Sequence, residues 1–330
     1  MNPVLSIPRS CPSAAGARPL GLTRRLLLWL LVAAGAPGVW TLQLQAQEDN
    51  FNDNLDNGWS RYNPIGVASF SLLNGAYRIR TAPSPDATIF GPGRAGSLLL
   101  GTNYGDFFYV SVDLVNWDDT LRQSVGLLAR IGSPGAGQTT GYAFTWDRGN
   151  ASATSGDVDI SRIDGEVPTG VAPNVNDLVH LQPGNQYRLV FIGKGPALEG
   201  RVYQLPDTTT PLVTLIGSDA TYTSGQVGLV TFANTGTGST DGTFDNFLAT
   251  DVEPPRIRVE QLFPDLFQFS WPAVPVEYSL QASSKLPAGA GDWQDVVDVR
   301  RVDENDVFEL ETGPNRTVTP PLFFRLKRKL

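Results

Sequence analysis

Sulfur is almost missing from this 330-residue chain: its single cysteine, Cys11, and its single methionine, Met1, both fall among the first dozen residues. Beyond them there is no disulfide, thiol nucleophile, zinc-thiolate centre or iron–sulfur cluster to consider. Histidine is as scarce. His180 stands alone, which leaves one candidate base for a Ser-His-Asp triad and none to share a multi-histidine metal site. No nucleophilic serine motif accompanies His180, and it follows Val179 just before the turn Gln182-Pro-Gly-Asn185, where a surface or capping role suits it better. Long amphipathic helical patterns are missing too. The glycine loops Gly91-Pro-Gly93 and Gly132-Ser-Pro-Gly135 therefore open no helix that could cradle a phosphate.

What is present begins with a leader. Arg18, Arg24 and Arg25 precede the apolar run Leu26 to Ala34, and small and polar residues follow as far as Gln45-Ala46-Gln47. A charged, then apolar, then cleavable order is that of a secretory signal, and residues 1–46 are expected to be removed on export. The apolar run is too short to span a bilayer comfortably, so no membrane insertion is expected after cleavage. The leader holds four arginines and no acid, so its loss leaves 21 basic against 33 acidic residues, a net charge of -12. Such a protein repels nucleic acid and anionic membranes; the expected location is extracellular, cell-surface or periplasmic.

From about Asp49 to Asp251 the chain is a succession of short runs with period-two alternation, broken by Gly, Pro, Asn and Asp. Strands are expected at Ala76-Arg80, Phe107-Val115, Ser124-Ile131, Tyr142-Trp146, Val158-Ile163, Tyr187-Ile192, Gly200-Leu205, Gly225-Phe232 and Phe244-Ala249. Many short strands separated by turns imply an all-β antiparallel sandwich. In Phe107-Val115 the residues Phe108, Val110, Val112 and Leu114 alternate with Tyr109, Ser111 and Asp113, so one face is buried and the other wet. The prolines of the linker 253–255 end this ladder. A second, smaller all-β unit is expected over 256–330, with strands near Ile257-Leu262, Leu266-Trp271, Tyr278-Ala282, Asp295-Val299, Val307-Glu311 and Phe323-Leu326. Charge divides unevenly: residues 47–255 carry 22 acids and 11 bases, whereas 256–330 carry 11 acids and 10 bases.

Three stretches of residues 47–252 resemble the concanavalin A-like, laminin G-like jelly-roll superfamily. They are the opening Asp49-Asn-Phe-Asn-Asp53-Asn-Leu-Asp56-Asn-Gly58-Trp59; the ordered trio Asp106-Phe-Phe-Tyr-Val-Ser-Val-Asp113, Gly126-Leu-Leu-Ala-Arg130 and Gly141-Tyr-Ala-Phe144; and the close Ser224-Gly225-Gln-Val-Gly228-Leu229 with Phe244-Asp245-Asn-Phe247. The second unit resembles a short fibronectin-III-like module of secreted bacterial proteins through Phe269-Ser-Trp271-Pro272, Tyr278-Ser-Leu-Gln281, Trp293 and Phe323-Phe324-Arg325-Leu326. The first resemblance implies a jelly-roll β-sandwich that holds a carbohydrate; the second implies a spacer or attachment unit, an Ig- or fibronectin-III-like sandwich.

In jelly rolls the first and last strands lie side by side. Asp49 and Asp53 from the opening and Asp245 from the close are thus expected to meet as oxygen ligands of a structural calcium, against the plainer reading that these residues make turns. Carbohydrate binding needs flat rings for stacking and planar polar groups for hydroxyls. Tyr142, Phe144 and Trp146 share one face by parity, and Tyr109, Asp113 and Trp117 another, with Arg130 on the strand between. Tyr142 and Phe144 suit a core; Trp117 and Trp146 sit at strand ends beside acids. The expected sugar site is therefore Trp117, Trp146, Asp113 and Arg130, facing a glycan or cell-surface polymer.

No catalytic residue is assigned. Hydrolases of the superfamily carry a Glu-x-Asp-x-x-Glu type pattern, which is missing here, so an enzyme acting on extracellular polysaccharide is the alternative and not the main expectation. Asp113 and Asp118 are an odd number of residues apart and face opposite sides of a strand. Asp157-Val-Asp159 has the correct parity but lacks a third acid on its strand, and reads as solvated turn residues. A purely structural or adhesive role is the remaining alternative.

Overall fold

A computed structural model describes residues 46–149, 156–173, 179–273, 278–284, 292–311 and 323–328. The leader expected over 1–46 lies outside them but for Ala46, the first residue of the first strand. No described helix is long and apolar enough to cross a membrane. The chain is built from strands, with one four-residue helix at Ala87–Phe90 among the described residues.

In chain order the first strands are β1 Ala46–Asp49, β2 Trp59–Tyr62, β3 Ala68–Leu73, β4 Ala76–Thr81, β5 Arg94–Leu99, β6 Phe107–Trp117, β7 Gln123–Gly132 and β8 Thr140–Asp147. They continue as β9 Asp157–Asp164, β10 Val167–Gly170, β11 Tyr187–Lys194, β12 Ala197–Gln204, β13 Val213–Ser218, β14 Gln226–Ala233 and β15 Thr240–Thr250. Every pairing is antiparallel. One sheet runs β13-β12-β11-β6-β15-β4-β3, with β1 also on β15; the other runs β10-β9-β8-β7-β14-β5-β2. The chain thus crosses repeatedly between the sheets, and the two faces that turn inward enclose one core. This is the antiparallel jelly-roll β-sandwich.

Alternation decides what lies inside. On β6 the residues Phe108, Val110, Val112 and Leu114 are wholly buried, and on β8 so are Tyr142, Phe144 and Trp146. Val125, Leu127 and Ala129 of β7 and Val158 and Ile160 of β9 join them in the same cluster. Aromatic rings meet edge-on: Phe108 against Phe191 of the neighbouring strand β11 at 5.1 Å, and Trp117 against Trp146 across the gap at 5.6 Å. Two glycines make room for this. A Cβ on Gly193 would lie 2.1 Å from the Phe108 ring and one on Gly200 2.2 Å from the Phe144 ring, so only a hydrogen fits beneath each.

The remaining strands are β16 Arg258–Phe263, β17 Leu266–Pro272, β18 Tyr278–Ser283, β19 Gln294–Asp295, β20 Arg300–Val302, β21 Asn305–Glu311 and β22 Phe323–Arg328. They form two small sheets, β16-β17-β21-β20 and β19-β18-β22, closed over Phe269, Trp271, Leu280 and Phe308. Trp271 is almost wholly buried, while Trp293 stacks on the Arg325 guanidinium at 4.3 Å. The expected strand Asp295-Val299 does not form as a unit: β19 ends at Asp295 and β20 starts at Arg300, with Asp298 between them at a positive φ of 67°.

Trp146 is the largest fully buried side chain, and its indole N–H donates to the Val179 carbonyl at 2.8 Å. Trp146→Ala is expected to lower unfolding free energy by roughly 3–5 kcal/mol, read from the urea midpoint at unchanged slope. A loss below about 1 kcal/mol would mean that this ring is not a core element.

Candidate functional site

Four residues were expected to gather around a sugar, and the structure brings together the two tryptophans alone, inside the core. Trp117 is 6% exposed and Trp146 not exposed at all; both lie between the sheets with their faces against other rings. Neither offers a face to a pyranose, which corrects the expectation for both. Asp113 points out of the eight-stranded sheet into a two-pronged pair with Arg188, at 2.7 and 2.9 Å, and takes a further hydrogen bond from Asn246 at 3.0 Å. Arg130 is 1% exposed, with its backbone at a positive φ of 50°. Its guanidinium donates to the carbonyls of Gly105, Asp106, Gly195 and Tyr222, so it ties three loops together at one end of the sandwich. Burial holds the Arg130 pKa below its usual value. Asp113 and Arg130 are framework residues with every strong contact already made inside the protein.

The acidic opening and close are side by side: β1 pairs β15 with Asp49 opposite Phe247. Within that arrangement Asp49 spends one oxygen on the Phe51 N–H and the other on the Trp59 indole N–H, both at 2.8 Å. Asp53 caps its own turn by accepting from Leu55 N–H at 2.9 Å. Asp245 accepts from the N–H of Asn246 at 2.6 Å. Calcium requires six or more oxygens converging on one point. The Asp49, Asp53 and Asp245 oxygens are engaged separately and do not fit it, and no group of three His, Cys, Asp or Glu among the described residues is placed to hold a metal.

The same parity that fills the core sends a second set of side chains to the outer face of the seven-stranded sheet, and there they line a cavity of about 220 Å³. Its apolar floor holds Leu128 of β7, Ala143 of β8, and Val230 and Phe232 of β14. Leu128 and Ala143 are buried although they face away from the main core, packing with Leu98, Ile131, Val230 and Ile163 as a separate cluster.

Polar groups stand around this floor. At one end Ser124 donates to Asn234 at 2.9 Å, and the Asn234 amide donates to Asp147. Burial raises the Asp147 pKa; the N–H of Gly149 opposes it, while Asp157, directly across on β9, repels and raises it further. Asp159 and Ser161 come from the same face of β9, with Ser161 donating to one Asp159 oxygen. The other Asp159 oxygen is buried and has no hydrogen-bond donor among the described residues. Asp157 and Asp159 thus belong to a strand and not to a solvated turn, and the third acid of their face, Asp147, arrives from the neighbouring strand.

The opposite wall is a closed network. Arg94 of β5 grips Glu166 with two hydrogen bonds, at 3.1 and 2.6 Å, and Tyr62 hydrogen-bonds both Glu166 and, at 2.6 Å, Thr139. Burial works to raise the Glu166 pKa, but Arg94, the N–H of Gly137 and Tyr62 outweigh it and hold the carboxyl below its usual range. Burial and that carboxylate together push the Tyr62 phenol up.

No family model and no curated protein matches this sequence. Solved structures of similar shape include the exoplasmic/lumenal domain of VIP36 in its Ca²⁺/Man3GlcNAc-bound form, at 10% identity over 64% of this chain and 92% of that one, TM-score 0.45. Others are lectin UEA-II complexed with galactose, at 10% identity over 62% and 98%, TM-score 0.42, and a galectin-like protein of unknown function from Bacillus subtilis, at 10% over 62% and 94%, TM-score 0.38. At such identity and score these likenesses do not bear on what this chain binds.

Asp245 sits close to Asp113 and Asp49, and its pKa is raised to about 6, by burial first and then by those two carboxylates. A folded-state pKa above the ordinary carboxylate value means that the folded protein binds more protons between about pH 4 and 6, so stability falls as pH rises through that window. Asp245→Asn keeps the acceptor for Asn246 and removes the charge. It is expected to raise stability by about 1 kcal/mol at pH 7, after discounting for solvent screening, and by nothing at pH 4. Equal effects at both pH values in thermal melts would contradict the shift.

Proposed function

We infer that this is an exported, non-catalytic, carbohydrate-binding protein whose ligand sits in the cavity on the outer face of the seven-stranded sheet. The observation that carries the reading is the pairing, in one cavity, of an apolar floor around Phe232 with fixed planar polar groups, Asp147 and Asn234. A pyranose has an apolar C–H face and a rim of hydroxyls. It is held by that combination, with adjacent hydroxyls donating to a carboxylate and accepting from an amide. The apolar leader, the acidic balance and the sulfur-free body support export to a cell-surface or extracellular polymer. Residues 256–330, a fibronectin-III-like module after the linker 253–255, serve as spacer.

One observation favours a second reading. Asp147 and Asp159 lie diagonally on one face, since Asp147 pairs with Asp157 and Thr145 with Asp159. Diagonal neighbours are roughly 7–8 Å apart at Cα, a spacing from which two side chains can reach toward one bond as the paired carboxylates of glycosidases do. Binding remains the stronger reading because Asp147 is fastened to Asn234 and Gly149, which fixes it as an acceptor rather than freeing it to deliver a proton.

A glycan array probed with residues 47–330 is expected to give a defined set of ligands. Phe232→Ala and Asn234→Ala should each weaken the best of them about tenfold or more, or about 1.4 kcal/mol, by titration calorimetry. Incubation with the same glycans should release no new reducing ends. Unchanged affinity in both variants would place the ligand elsewhere, and reducing-end release abolished by Asp147→Asn would favour the hydrolase.

A further inference from the structure

Four charged side chains line the cavity: Arg94, Asp147, Asp159 and Glu166. Arg94 and Glu166 are locked to each other by two hydrogen bonds, with side chains only 12% and 7% exposed, so their charges cancel and neither is available to a ligand. Asp147 and Asp159 remain, and no other lysine or arginine lines the cavity. Asp157 stands beside Asp147 across the β8–β9 ladder and adds to the negative potential. The Thr145 hydroxyl lies in the lining between the two carboxylates, opposite Asp159 in register.

We propose that the cavity selects sugars that carry a free amine, whose ammonium group sits between Asp147 and Asp159; this rests on the carbohydrate-binding reading above. An ammonium on a pyranose ring has three N–H donors and no acceptor. One donor reaches the Asp159 carboxylate, one the Asp147 carboxylate, and Thr145 offers an acceptor for the third. A neutral hydroxyl can donate to the same carboxylates but leaves both of them in the cavity wall without a counter-charge. A uronic acid or sulfated sugar adds a third negative group and is repelled, so the cavity discriminates by charge in both directions. The apolar floor meets the C–H face of the same ring.

Titration calorimetry of residues 47–330 at mildly acidic pH, with three oligosaccharides of equal length, separates these cases. The probes are β-1,4-linked glucosamine, its fully N-acetylated counterpart and an oligogalacturonate. The amine form is expected to bind at least about tenfold more tightly than the acetylated form, and the uronate not to bind. Asp159→Asn, which keeps size and removes charge, should bring the ratio of amine to acetylated affinity to about one. Asp147→Asn should act in the same direction, with melting temperatures reported for both to show that they fold. Equal or tighter binding of the acetylated form, no binding of the amine form, or a preference that survives both substitutions overturns the proposal. Equal or tighter binding of the acetylated form that is lost in Phe232→Ala overturns the amine preference while upholding the carbohydrate site. An array with no ligand at all removes both.

Discussion

The inward-facing aromatic rows of β6 and β8 are the constraint on which the rest depends. Phe108 on one sheet and Tyr142, Phe144 and Trp146 on the other are wholly buried; Phe108 packs on Phe191 of its own sheet, while Phe144 and Trp146 meet Phe191 and Trp117 across the gap. A strand has only two faces, so once these rings are committed to the core every residue between them is committed to the outside. Ala143, Thr145 and Asp147 leave β8 on the outer face for that reason. Asp159 and Ser161 leave β9 likewise because Val158 and Ile160 are core. The cavity is the other side of the core's alternation.

Charged residues then fix the frame within which the cavity holds its shape. Arg130 gathers three loops at one end through carbonyls alone, and the Asp113–Arg188 pair fastens β6 to β11 on the outside of the other sheet. Glu166 stands at the turn between β9 and β10, where its φ of 69° aims it at Arg94, and that pair joins the far edge of the seven-stranded sheet to β5. Each of these groups is satisfied inside the protein. The other buried charges, Arg148 and Asp241, are paired with Asp119 and Arg78, which leaves Asp147 and Asp159 as the acids turned toward the cavity.

Much of this was legible in the residues. Phe107-Val115 and Tyr142-Trp146 declare their strands by alternation, and β6 and β8 contain them. Other strands carry no such signal. Arg94–Leu99 is buried on both faces with Gly96 at its centre, and Val167–Gly170 is exposed throughout, so period two shows in neither. The site was harder to read because it draws on every strand of the seven-stranded sheet and on loops distant in sequence. Position at a strand end suggested exposure for Trp117 and Trp146, yet parity already placed Trp146 with Tyr142 and Phe144. That same parity, carried one residue further, marks Asp147 as outward. What the sequence could not supply is register: that Asp147 lies opposite Asp157, and that Asn234, just beyond β14, reaches Asp147.

The central claim is that ligand meets the outer face of the seven-stranded sheet and leaves the aromatic core untouched. It is tested most directly by amide chemical-shift mapping of isotope-labelled residues 47–330, titrated with the strongest oligosaccharide from an array. The account predicts shifts concentrated at Thr145, Asp147, Asp159, Ser161 and Phe232, with the strands β11, β12 and β13 of the opposite sheet silent. Shifts centred on Asp113 and Arg188, or on the loops that Arg130 ties together, would contradict it.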